Sequence, residues 1–175
     1  MIRLIAILHF TKASLIRNLV FFLFVSHAGF SQNNISLSVT GEVSTPLDLN
    51  MKDLSAFTQI TQKVKDRDGK EHEFGGIALV DILSKAGVTL GAQLRGENLL
   101  KYVLITAADG YEVIYTLTEI DPEFTDHVIL LATQKDGKPL DAGEGALRVI
   151  AVKDKKQARW IRQVRSVKVV SVKNK

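Results

Sequence analysis

Apolar and polar residues alternate through Ile35-Ser36-Leu37-Ser38-Val39, the two-residue period of a half-buried strand. Leu47-Asp48-Leu49, after the turn residues Ser44-Thr45-Pro46, predicts a short extended piece, and Asn50 then suits the N-cap of a short helix over 51–57. Strands are predicted over 59–65 and, beyond the turn Asp66-Arg67-Asp68-Gly69, over 70–74. Ile77, Leu79, Ile82, Leu83 and Ala86 share one helical face, and Gly87 stands where a helix ends on a left-handed residue. Residues 91–100 read as irregular or as a helical turn. Strands over 101–107 and 112–117 flank Asp109-Gly110, a pair suited to a tight hairpin. Residues 118–124 form a connection, with at most a helical turn. Residues 128–133 are nearly all apolar and predict a buried strand, followed by a second hairpin signal at Asp136-Gly137. After the glycine-rich stretch 142–146, strands are predicted over 147–152 and 164–172. Many short strands with one or two helices and no internal repeat predict a β-rich α+β fold, mostly antiparallel.

The first 31 residues break this pattern. They hold Arg3, Lys12 and Arg17 and no acid, then the apolar run Leu19 to Val25, then the small residues Gly29 and Ser31. Positive, apolar, small is the order of a secretory signal peptide. The expectation is a signal peptide over 1–31 and a single domain over 32–175, periplasmic or secreted. The rival is a retained anchor, although the apolar run is shorter than the ~20 residues of a bilayer span. Cleavage would leave no membrane span.

Removing the leader changes the charge. The 23 basic residues fall to 20 against 19 acidic, so the high isoelectric point belongs largely to the leader. What remains is uneven: Arg148 to Lys175 holds 10 basic residues and one acid, Asp154. The chain has no cysteine, which excludes disulfides, thiolate metal ligands and a cysteine nucleophile.

Little else carries chemistry by itself. His72 and His127 lie far apart, with no carboxylate at ligand spacing beside either, and read as surface or structural residues. Glu42, Asp53, Glu119 and Asp121 have no spacing that marks a catalytic carboxylate pair. Gly143-Glu144-Gly145-Ala146-Leu147-Arg148 could cradle an anion with its backbone amides and Arg148; the plainer reading is a loop entering a strand, with Arg148 on the solvent face. The segment from Lys153 to Arg165 is basic and contains Trp160, the sole tryptophan. It suits either an anionic partner or a charged edge that resists strand pairing. An exported protein rarely meets nucleic acid, so no nucleic-acid partner is expected.

Taken in order, these stretches resemble a family. Gly75-Gly76-Ile77-Ala78-Leu79-Val80-Asp81-Ile82-Leu83 with Ala86-Gly87 is similar to the "Gly-Val-x-Leu-x-Asp-Leu-Leu-x-x-Ala-Gly" segment of sulfite-oxidase-type molybdopterin-binding domains. Ala108-Asp109-Gly110-Tyr111 resembles that family's "Ala-Asp-Gly-Tyr", which makes Tyr111 a hallmark of fold rather than of catalysis. Asp136-Gly137-Lys138-Pro139-Leu140, Gly145-Ala146-Leu147-Arg148-Val149 and Arg159-Trp160-Ile161 resemble further family segments, in the same order, across about 38–170. The resemblance implies a molybdenum atom held by a pterin dithiolene and one cysteine. That cysteine would fall within 61–69, where this chain has none, so normal oxygen-atom transfer is not expected. Should a molybdopterin still bind, Arg148, Lys153, Lys155 and Lys156 are the candidates to hold its phosphate. The alternative is a non-catalytic binding module whose acidic ligand or partner contacts Lys155, Lys156, Arg159 and Arg162.

Overall fold

Alternation and β-branched content become ten strands in a computed structural model, which describes residues 36–173. The predicted leader and cleavage site lie outside the described residues. The first sheet runs in the order β2 (Leu47–Asn50), β1 (Ser36–Gly41), β10 (Val164–Ser171), β5 (Lys101–Ala107), β6 (Glu112–Thr116). Its pairs are antiparallel except β1 with β10, which are parallel from Ser38↔Ser166 to Gly41↔Val169. The second sheet runs β3 (Gln59–Lys65), β4 (Glu71–Ala78), β7 (Ile129–Lys135), β8 (Lys138–Pro139), with β9 (Arg148–Ala151) also on β7. The expected strand-rich α+β architecture is what the chain adopts.

The two sheets and both helices share one core, including Leu37, Phe74, Ile77, Val103, Leu131, Ile150 and Val167. Helix α1 (Met51–Ser55) starts at a capping box: the Asn50 side chain accepts from Lys52 and Asp53 amides, and Asp53 accepts from the Asn50 amide. Helix α2 (Leu79–Lys85) buries Leu79, Ile82 and Leu83, and Gly87 takes φ +69° just beyond it.

The apolar spacing predicted α2 to begin at Ile77; the structure corrects this. β4 continues through Gly75 and Gly76 to Ala78, because this stretch pairs with both β3 and β7. Gly76 lies so close to β7 that a Cβ there would stand 2.1 Å from the Leu131 carbonyl oxygen. Gly76 is thus a close strand contact at a register shift, and both glycines lie inside β4.

Candidate functional site

Within 61–69, where the resemblance places a metal-binding cysteine, Val64 and Asp66 are the buried residues. Asp66 is the first residue after β3, and its carboxylate turns inward. Arg148 Nη2 donates to Oδ1 at 2.8 Å, and Arg148 Nη1 to Oδ2 at 3.1 Å. Lys135 Nζ donates to Oδ2 at 2.7 Å. Arg148 Nη1 also meets Glu144 Oε1. Two cations and two carboxylates therefore neutralise one another in the interior.

Aromatic faces complete the cluster. The Arg148 guanidinium lies 5.1 Å from the Phe74 ring centre and 5.7 Å from that of Trp160. Lys135 Nζ is 5.4 Å from Phe74. Hydrogen bonding from Arg148 holds the Asp66 carboxyl far below the ordinary carboxylate range, against the opposing effect of burial. Arg148 is 0% exposed, which corrects the reading that set it on a solvent face. Its register opposite Ala132 points it inward, and Asp66 and Glu144 supply the counter-charge that makes burial tolerable.

Two amides of the glycine-rich loop before β9 are turned inward and cannot serve an anion. Glu144 and Gly145 amides both donate to the Asp141 carbonyl, and Glu144 also to Asp141 Oδ1. Gly145 takes φ +72°, and a Cβ there would approach Gln163 Cγ to 2.7 Å. The loop is a tight turn packed on the Gln163 backbone.

Two concavities flank the segment 157–162. A groove of about 510 Å³ is lined by Lys63, Lys65, Asp66, Lys155, Gln157 and Trp160, among others. A cleft of about 310 Å³ lies against Arg67, Asp109, Tyr111, Trp160, Arg162 and Gln163, among others. Of the residues expected to hold a phosphate, Lys155 faces the groove. Lys153 borders a separate small hollow with His127 and Arg159, Lys156 is exposed and borders none of the three, and Arg148 is sealed below. The four are not gathered on one surface.

Tyrosines fasten the intervening segment. Tyr111 is 52% exposed, yet its hydroxyl donates to the Ala158 carbonyl at 3.2 Å. Tyr115, buried, donates to the Arg159 carbonyl at 2.7 Å, and burial pushes its own hydroxyl pKa up. Arg159 stacks 4.4 Å from the Tyr115 ring and is bound at both ends by Asp154 and by Glu119. Trp160 Nε1 donates to the Ala151 carbonyl. Arg159 and Trp160 are thus committed to packing.

Three carboxylates raised in the sequence reading take separate jobs. Asp53 caps α1, Glu119 pairs with Arg159, and buried Asp121 accepts from the Gly91 and Glu123 amides. His72 does have carboxylate neighbours, correcting the expectation. Nε2 meets Asp68 at 2.9 Å, four residues back across the turn, and Nδ1 meets Asp136 at 2.6 Å. Among the described residues, no three such groups converge as a metal site.

The family model for the oxidoreductase molybdopterin-binding domain matches residues 25–175. The chain belongs to this family. The fold is also similar to the crystal structure of the sulfane dehydrogenase SoxCD from Paracoccus pantotrophus, with TM-score 0.61 and 19% identity. That match covers 79% of this chain and 39% of the other, so this member spans about two fifths of that protein. A comparison with curated proteins gave no match. A thiolate-held molybdenum does not fit this member's residues: it has no cysteine, and the inward carboxylate of Asp66 is committed to Arg148 and Lys135.

Proposed function

We propose that this family member is an exported binding domain that does not run normal molybdenum redox chemistry. The capture of Asp66 by Arg148 and Lys135 carries this reading. A metal ligand needs a free electron pair directed at the ion, and the basic side chains already occupy both oxygens of this carboxylate. Withdrawing Asp66 to reach a metal would strand Arg148 in the interior with only Glu144 as counter-charge, a cost of several kcal/mol. The groove beside Asp66 has Lys63, Lys65 and Lys155 on its wall together with Asp66, Glu71 and Asp154; Asp66 and Asp154 are already paired with arginines, so the lysines outnumber the one acid left, which suits an acidic ligand or partner. Arg159 is withdrawn from that role by Asp154 and Glu119.

The test is to express the chain in a host that makes molybdenum cofactor, beside a cysteine-bearing relative. Molybdenum is measured by elemental analysis and released pterin by fluorescence. Loading of the relative alone is expected; stoichiometric metal and pterin in this chain would sink the proposal. Export is read from the same preparation by the mass of the product, with Gln32 expected as its first residue.

A further inference from the structure

The cleft of about 310 Å³ lies on the other side of the 157–160 segment from the groove that Asp66 lines. Its charges differ in kind from those of the interior. Arg148 and Arg159 are each met by two carboxylates. Arg67 and Arg162, which both line the cleft, are met by none among the described residues. Arg67 reaches only the Gln157 carbonyl, at 3.4 Å. Arg162 is half-buried, and its Nε is shut off from solvent with no acceptor. Such a donor is costly to leave unmatched.

The remaining lining sets size and charge. Ala107, Tyr111, Ala158, Trp160 and Ile161 supply an apolar and aromatic wall. Asp109 also borders the cleft, its Oδ1 accepting from the Tyr111 amide, so the two arginines and this acid leave one net positive charge. The volume sits at the lower end of the range for small-molecule pockets, about 300–1,000 Å³. Backbone geometry is fixed as well. Gln163 is held at φ +52° by its amide donating to Glu144 and its carbonyl accepting from Ala108. A left-handed non-glycine residue costs about 1–3 kcal/mol, and such residues gather at ligand sites.

We infer that this cleft binds a small organic monoanion, its carboxylate held between Arg67 and Arg162 and its flat apolar body against Tyr111 and Trp160. An arginine fork matches a carboxylate in two-point geometry, and the aromatic wall rewards a planar body. A dianion gains less, because Asp109 opposes the second charge. The inference deepens the binding-domain reading and rests on it; molybdenum loading and anion binding are read out separately, so each can fail alone.

Trp160 is the sole tryptophan and borders both the cleft and the opposite groove, so its emission reports occupancy and the arginine and Lys155 variants tell the two sites apart. The full exported chain is titrated with benzoate, benzamide, acetate and sulfate. Saturable change with benzoate is expected, with benzamide, acetate and sulfate each weaker by about tenfold or more. Arg162→Gln should weaken benzoate by about tenfold or more, Arg162→Lys by less, and Lys155→Gln, on the opposite groove, not at all. Circular dichroism confirms folding of each variant, and Arg67→Gln provides a second, exposed site should Arg162→Gln not fold. Absence of a benzoate response in both fluorescence and amide NMR shifts would overturn the inference. So would sulfate binding as tightly as benzoate, which would mean a plain oxyanion site, or unchanged binding in the folded arginine variants.

Discussion

Asp66 illustrates how one side chain can close off a chemistry. It lies in the stretch 61–69, where the resemblance places a metal-binding cysteine, and is drawn into an internal neutral cluster with Arg148, Lys135 and Glu144. Asp66→Asn removes one charge and leaves Arg148 under-compensated, so a loss of about 3–5 kcal/mol is expected in urea unfolding. Because the Asp66 carboxyl lies below its unfolded value, its contribution is complete above the ordinary 3.8 and is lost as pH falls through the lower folded value. The variant should therefore lose part of its acid sensitivity along with its stability. Gly76→Ala tests a different constraint. Backbone, not a flexible side chain, blocks the new methyl group, so β4 and β7 must separate, and a cost above about 2 kcal/mol is expected from the same measurement.

At the scale of elements, His72 ties two hairpins together. It stands on β4, with Asp68 in the β3–β4 turn and Asp136 in the β7–β8 turn. Both ring nitrogens face carboxylates, so the arrangement favours the imidazolium, and hydrogen bonds to Asp68 and then Asp136 raise the His72 pKa above 6.5. Lys135 opposes the shift from the neighbouring position. A raised value means that the contribution is complete below 6.5 and disappears as pH climbs through the folded value. The two aspartates have the opposite sign: their contributions hold above 3.8 and fade as pH falls through their lowered values. Melting temperature should fall as pH climbs above 6.5 in the parent and stay flatter in His72→Gln. An unchanged slope would remove His72 from this role. The sequence showed most elements plainly. β3 and β5 run over the residues predicted for them, and the Asn50 cap and Gly87 stop are local chemistry written in adjacent positions. The ion clusters were not legible in the same way. Arg148 meets Asp66 across 82 positions, and nothing near either residue announces the other. Glu144, four residues before Arg148, was visible, but its burial depends on how the Asp141–Gly145 turn folds against Gln163. The cleft between Arg67 and Arg162 is non-local too, since it needs β3's turn, the β5–β6 hairpin and the basic segment brought together.

Across the whole molecule, the first and last described strands are neighbours. β10 lies inside the first sheet, parallel to β1 on one side and antiparallel to β5 on the other. Without it, β2–β1 and β5–β6 are separate two-stranded pieces, each marginal in water. Deleting 164–171 should therefore abolish the cooperative thermal transition in calorimetry, whereas a two-stranded loss at an edge would only lower it. The same placement sets a timetable. While the chain is being made, residues up to 163 can collapse but present two raw strand edges, at β1 and β5, with no occupant to seal them. Completion of this sheet waits for the final strand, and until then the polypeptide remains at risk of pairing with a sibling or of being cut.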